Sequence, residues 1–328
     1  MIFLCSARSG EREIEMLEIF KTIDGKIQEE EEITRNCWVA LTDPTSSEIR
    51  QISRRFGIDE ADVKAPLDEE ERSRIDVEEA YTLILVDIPV IEERNDKDWY
   101  GTIPMGIILQ EDVIFTVCLQ DTPVLQSFKN GRVKGFHTYM KSRFILQILY
   151  RNASLYLQYL RSIDRKSEEI ERKLKESQKN RELIELLELE KSLVYLTTSL
   201  RSNEIVLEKL MKNERFKQYP EDMELLEDVI VENKQAIEMG NIYTGVVSGT
   251  RDAFASIISN NLNVVMKFLA TVTIVLSIPT MIASFYGMNV NLNGMPFANS
   301  ENGFWIVIGI AIVASLIVTI IFAKKKMF

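Results

Sequence analysis

No charged residue occurs between Lys267 and Glu301, and this gap constrains the chain more than any other feature. Residues 268–286 form a 19-residue uncharged run and residues 304–323 a 20-residue one. At about 1.5 Å per residue, a helix of either run can cross a hydrocarbon layer of about 30 Å. Both runs lie far from the first residue, unlike a signal peptide. The second has no polar face, which a buried helix of a water-soluble fold would rarely lack. Two membrane spans are therefore expected. Lys324, Lys325 and Lys326 follow the second span and Lys267 precedes the first, so the positive-inside tendency puts both termini in the cytoplasm. Residues 288–303 then form a short external loop.

The remaining residues narrow the chemistry. The formal charge is -11, and the part from Lys267 onward carries +3, so residues 1–266 carry -14. An acidic cytoplasmic part speaks against nucleic acid as a partner, which needs a basic face, and is compatible with divalent cations. Cys5, Cys37 and Cys118 are odd in number and scattered, as expected of a reducing compartment without a disulfide frame. His137 is the single histidine, so a histidine-rich zinc site or a hydrolytic triad has no material. Gly240, Gly245 and Gly249 lie in a helical pattern with no strand ahead of them; no phosphate-cradling loop and no organic cofactor are expected. The chain does not read as an enzyme.

Upstream, residues 1–140 mix strand-like runs with short helices. Asp24-Gly25 reads as a hairpin turn, and CWVAL, AYTLILVDIPV, MGIILQ and DVIFTVC read as buried strands. DPTSSEIRQISRRFG supplies Thr45 or Ser46 as a cap, an amphipathic helix and a stop at Gly57. From residue 141 the pattern turns helical, with apolar residues at three- and four-residue spacing. Pro220 separates two helical segments, after which a single helix can run through residue 286, about 66 residues or roughly 100 Å. The expected organisation is α+β with a membrane part. An N-terminal α/β cytoplasmic domain (1–140) is followed by helical arms and a long stalk helix (141–266). A first transmembrane helix (267–287), the loop (288–303), a second transmembrane helix (304–323) and a basic tail (324–328) complete it.

One stripe on that long helix stands out. Alternating steps of four and three from Gly245 reach Gly249, Asp252, Ser256, Ser259, Asn263, Met266, Ala270, Thr273, Ser277, Thr280, Ser284 and Gly287. All but Met266 are small or polar, whereas the neighbouring faces through the span are Val, Ile, Leu, Phe and Met. A repeat of about 3.5 residues keeps one stripe facing a common axis in a bundle. Small residues in membrane helices also form dry packing seams. Polar groups in a bilayer, however, usually face a bundle interior or a water path. A pore lining is the favoured reading, and two spans per chain can enclose a pore only in a homo-oligomer.

Gly287-Met288-Asn289, placed between two C-terminal spans and ahead of the ending AKKKMF, resembles the signature of the CorA family of magnesium channels. LDEEERSRIDVEEAY, residues 67–81, is similar to part of that family's cytoplasmic domain, and the whole layout agrees. The resemblance implies a funnel-shaped homopentamer in the cell membrane whose first spans line the pore. It further implies Gly287, Met288 and Asn289 as selectivity filter and Mg²⁺ as both transported and regulatory ion. Co²⁺ and Ni²⁺ are further substrates it allows. The family's outer loop often carries an acid after Met-Pro; here Phe297 follows Met295-Pro296, and Glu301 is the loop's only acid.

The residue chemistry agrees with this resemblance. A ring of Asn289 carbonyl oxygens can accept hydrogen bonds from the retained waters of Mg²⁺ without the grip of carboxylates. Asp252 is a stronger cation site on the stripe, and Met266, its largest side chain, is the expected hydrophobic constriction. The resemblance also implies inter-subunit sites at which internal Mg²⁺ closes the pore; by position, Asp228 matches one partner and Glu92 is the candidate for the other. A zinc transporter of the same superfamily and a non-conducting membrane-tethered sensor or scaffold are the alternatives.

Overall fold

Asp24 and Gly25 both have positive φ, 49° and 74°, the paired left-handed conformation that closes a two-residue hairpin turn with the right strand twist. That turn joins β1 (Leu17–Ile23) to β2 (Lys26–Glu30), the edge of a seven-stranded sheet. The computed structural model describes residues 17–94, 97–177, 180–289, 295–297 and 300–325. Cys5 lies outside them. The chain divides into two compact units, Met1–Thr250 and Arg251–Phe328.

The sheet of the first unit continues with β3 (Cys37–Thr42), β4 (Arg74–Val77), β5 (Thr82–Arg94), β6 (Lys97–Leu109) and β7 (Val113–Cys118). Its spatial order is β2-β1-β3-β7-β6-β5-β4, and only the β3–β7 pair is parallel. Helices cover both faces, so the central strands read as unbroken apolar runs rather than alternating ones. Val39, Leu41, Leu83, Leu85, Phe115 and Val117 point to one face. There they meet Ile49 and Ile52 of α1 (Ser46–Phe56) and Val63 of α2 (Glu60–Lys64). Trp38, Ala40, Ile84, Val86, Ile107 and Ile114 point to the other. They pack with Phe128 of α3 (Pro123–Lys129), Phe144 and Ile148 of α4 (Lys141–Ser177), and Val206, Leu207 and Leu210 of α5 (Asn180–Lys212). α1 begins at Thr45, whose hydroxyl accepts from the Glu48 N–H while the Glu48 carboxylate takes the Thr45 N–H at 2.7 Å. It ends at Gly57, left-handed at φ 66°.

Two features exceed the sequence expectation. β5 and β6 form one hairpin paired from Thr82↔Leu109 to Arg94↔Lys97, and β4 adds an edge strand that no apolar run announced. α4 and α5 then pack along Ile163, Ile170 and Leu174 on one helix and Leu186, Leu189, Leu193, Leu196 and Leu200 on the other, all buried.

The last long helix, α6 (Pro220–Tyr286), starts on a proline, whose missing N–H is harmless in the first turn. It spans 67 residues and continues through Pro279. The second unit contains its last part and α7 (Gly303–Lys324). Both helices are long and apolar enough to cross a membrane.

Candidate ion-conducting surface

Within the second unit, burial separates two faces of α6. Thr271 is fully buried, and Val275, Ile278, Ile282 and Tyr286 are partly shielded, with Val272 and Pro279 at the flank. α7 has a matching shielded stripe, Val307, Ile308, Ala311, Ala314, Ser315, Val318, Thr319 and Phe322, with Ala311 at its most buried point. Each helix of this unit thus has one shielded side, rich in small residues on α7, and one open side. Met266, Ala270, Thr273, Ser277, Thr280 and Ser284 are exposed. At about 100° per residue these six fall within about 60° of Thr273, while Thr271, Val275, Ile278, Ile282 and Tyr286 cluster about the opposite pole. The packing seam and the polar stripe are thus on opposite sides of one helix.

The stripe has a defined polarity. Thr273 donates its hydroxyl hydrogen to the Leu269 carbonyl at 2.8 Å, Ser277 to Ile274 at 2.8 Å and Thr280 to Leu276 at 3.1 Å. With the hydrogen spent on the helix's own backbone, each oxygen turns lone pairs outward. A shallow groove lined by Thr273, Ser277, Thr280 and Ser284, with Leu276, Met281 and Phe285 at its sides, runs along this face. Such a wall accepts hydrogen bonds, as the water shell of a cation requires, and carries no formal charge to trap the ion.

The signature residues end the helix. The Gly287 N–H is shared between the Ala283 and Ser284 carbonyls at 3.0 and 3.2 Å, and the Met288 N–H reaches the Phe285 carbonyl at 3.4 Å. Gly287 does not have a positive φ, and a Cβ there would only touch the Ala283 and Ser284 oxygens at 3.5 and 3.6 Å. Within the single chain, Gly287 therefore occupies a conformation that other residues could adopt. Met288 and Asn289 are exposed, and residues 290–294 lie outside the described part. The Tyr286 hydroxyl donates to the Pro296 carbonyl at 2.8 Å, tying the helix end to the loop. Sequence reading missed this tie; the helical spacing of Tyr286 with Thr271, Val275, Ile278 and Ile282 was its available signal. Glu301 is exposed just ahead of α7.

Ser256, Ser259, Asn263 and Met266 are all exposed, Met266 at 58 %. Asp252 is exposed but ion-paired with Arg251 at 2.9 Å. Glu92, near the tip of the β5–β6 hairpin, pairs with Arg94 at 2.8 Å, and that guanidinium lies over the Trp99 ring, 3.8 Å from its centroid. Asp228 is exposed on α6. Among the described residues no cluster of three or more acidic, histidine or cysteine side chains could hold a metal within one chain, so Glu92 and Asp228 do not form such a cluster here.

Comparisons with known proteins give the family and the fold. The family model described as "CorA-like Mg2+ transporter protein" matches residues 34–325. A curated relative, the cobalt/magnesium transport protein CorA of Methanocaldococcus jannaschii, is 28% identical over 300 residues, 89% of this chain and 91% of its own. The complete structure of the CorA magnesium transporter from the same organism superposes with a TM-score of 0.80 at 26% identity, covering 94% of this chain and 98% of that one. The cytoplasmic domain of ZntB from Vibrio parahaemolyticus has a TM-score of 0.58 at 14% identity, over 74% of this chain and 98% of that one, a likeness of fold alone. An α/β domain, a long helix running into the first apolar segment and a second apolar helix are what the complete CorA structure shares with this chain. The chain is a membrane protein of the CorA-like Mg²⁺ transporter family, whose members transport ions rather than catalyse reactions.

Proposed function

We propose that this protein is a Mg²⁺ channel of the cell membrane, assembled as a homopentamer with both termini in the cytoplasm. The observation that carries the reading is the stripe Thr273, Ser277, Thr280 and Ser284, exposed opposite the face that α6 buries in its own unit. A face lined with oxygen acceptors and left open in one chain is suited to a shared axial path in several. Five copies are what the resemblance implies. Each contributes Asn289 to a ring at the outer mouth and Met266 to a constriction further in.

The ion is expected to keep much of its water. Mg²⁺ sheds its shell reluctantly, so amide and hydroxyl oxygens that accept from those waters suit it better than direct carboxylate ligation. A membrane potential of 100 mV drives a divalent ion inward with about 4.6 kcal/mol, twice the about 2.3 for one charge. A permanently open path would flood the cell. Cytosolic Mg²⁺ bound between subunits, with Asp228 and Glu92 as candidate ligands, would hold a closed state by differential binding.

Purified protein in liposomes, with an Mg²⁺ indicator inside and an imposed inside-negative potential, tests the reading. Mg²⁺ flux that exceeds Zn²⁺ flux and is abolished in an assembled Asn289→Ala variant is expected. Absence of Mg²⁺ flux with robust Zn²⁺ flux would replace it with zinc transport. No flux of Mg²⁺, Co²⁺, Ni²⁺ or Zn²⁺ would favour the sensor or scaffold.

A further inference from the structure

Asp87 sits in the middle of β5, in an otherwise apolar buried stretch, and its surroundings are unusual for a strand residue. β4 begins at Arg74, opposite Leu85, so the edge of β5 has no strand partner at Asp87. Asn203 of α5 takes the place of one. Its Oδ1 accepts the Asp87 N–H and its Nδ2 donates to the Asp87 carbonyl, both at 2.8 Å. Asn152 Nδ2 and the Tyr156 hydroxyl, both on α4, add bonds to the same carbonyl at 2.8 and 3.2 Å. Across the other edge stands Pro104, which has no N–H to give. One residue of the sheet thus holds both helical arms by side-chain bonds to its backbone.

The Asp87 carboxyl lies at the same joint. Removal from water pushes its pKa up from 3.8 to about 6, and the Ser199 and Ser73 hydroxyls pull it partly back. The groups facing it are Ser73 ahead of β4, Thr102 on β6 bonded to Ser199 at 2.9 Å, Asn152 and Tyr156 on α4, and Ser199 and Asn203 on α5. Tyr156 is the other titratable group, and its phenol is held protonated by burial. Arg74, beside Ser73 in sequence, is engaged with Glu71 and Asp76. None of these supplies a free cation to the carboxylate. A carboxyl withdrawn from water at this joint, with hydroxyl neighbours and no cation, is relieved by one proton.

We propose that Asp87 is a proton-responsive latch between the sheet and the α4–α5 arms, taking up a proton on acidification at the joint where Asn152, Tyr156 and Asn203 bond its backbone. The sign follows from the direction of the shift. A carboxyl whose folded-state pKa lies above its unfolded one opposes closure when charged, and that opposition fades as pH falls through about 6. The arms therefore seat more firmly in acid. This inference does not depend on which ion the protein transports.

Amide hydrogen exchange of the full chain in lipid nanodiscs, corrected for the intrinsic pH dependence, reads the latch directly. Peptides around Asn152–Tyr156 and Ser199–Asn203 should exchange about four-fold more slowly at pH 5.5 than at 7.5, the ratio that a shift from 3.8 to about 6 gives. Asp87→Asn should remove that dependence. Equal pH dependence in wild type and variant overturns the proposal. Should Asp87→Asn fail to assemble, Ser199→Ala serves, because losing a donor to the carboxylate must move the midpoint to higher pH. An unmoved or lowered midpoint in Ser199→Ala likewise overturns it.

Discussion

Thr271 and Thr273 make the same bond on opposite faces of α6: each hydroxyl donates to the carbonyl four residues back at 2.8 Å, yet Thr271 is fully buried and Thr273 is exposed. Two identical residues two positions apart thus have different surroundings, one on the shielded seam and one on the open stripe. Thr280→Val keeps shape and removes the outward oxygen. It should lower Mg²⁺ flux about five-fold, the scale of one hydrogen bond of about 1 kcal/mol, and leave the thermal midpoint unchanged. Thr271→Val should leave flux unchanged. Equal effects of the two on liposome flux would mean the faces are not functionally distinct.

Two glycines separate fold from assembly. A Cβ at Gly106 would come within 2.2 Å of Pro66 Cγ, a ring fixed at the turn that packs on β6. Gly106→Ala should lower unfolding stability by about 1–3 kcal/mol in denaturant titration. Gly287→Ala, which meets nothing closer than 3.5 Å in its own chain, should leave that titration unchanged and abolish flux if neighbouring copies crowd the helix ends. Normal flux in Gly287→Ala would show that no such crowding exists.

Met266 is the largest side chain on the stripe and is 58 % exposed in the single chain. As a ring it would form a dewetted constriction. Met266→Ser should increase leak of Mg²⁺ at high internal Mg²⁺, measured as flux from loaded liposomes. A reduced or unchanged leak in assembled protein would assign Met266 to packing.

Glu92 and Asp228 are each exposed to some degree and do not form a metal cluster within one chain, as ligands completed between subunits should be. The double variant Glu92→Gln, Asp228→Asn should weaken inhibition by internal Mg²⁺ and reduce the protection that Mg²⁺ gives against proteolysis. Because Arg94 already pairs with Glu92, Arg94→Ala should act in the opposite sense and tighten the inhibition. Wild-type Mg²⁺ dependence in the double variant would exclude these two residues as the sensor.

Much of this was legible in the sequence because it rests on local periodicity. The spans, the α6 stripe, the Asp24-Gly25 turn and the Thr45–Gly57 helix limits each follow from residue spacing or from a cap. The far halves of β5 and β6 were not, since IEERNDKDWYGTIP is charged and reads as loop; the strands are held there by pairing with each other. β4 was missed because RIDV is short and has no apolar run, its register being set by Leu83 and Leu85 opposite. The Asn203 amide that completes the sheet edge at Asp87 lies 116 residues away in sequence, and no spacing announces it. At the candidate site, the side chains were readable, but which face of α6 is buried needed coordinates.

The central claim is that the stripe, and not the seam, borders the ion path. Single cysteines at positions 273, 277, 280 and 284 and at 271, 275, 278 and 282, in protein whose Cys5, Cys37 and Cys118 are replaced, test it directly through block of Mg²⁺ flux by a charged thiol reagent. Rapid block at the first four positions with little at the second four is the predicted result. Block confined to the second four, or equal at all eight, would contradict it.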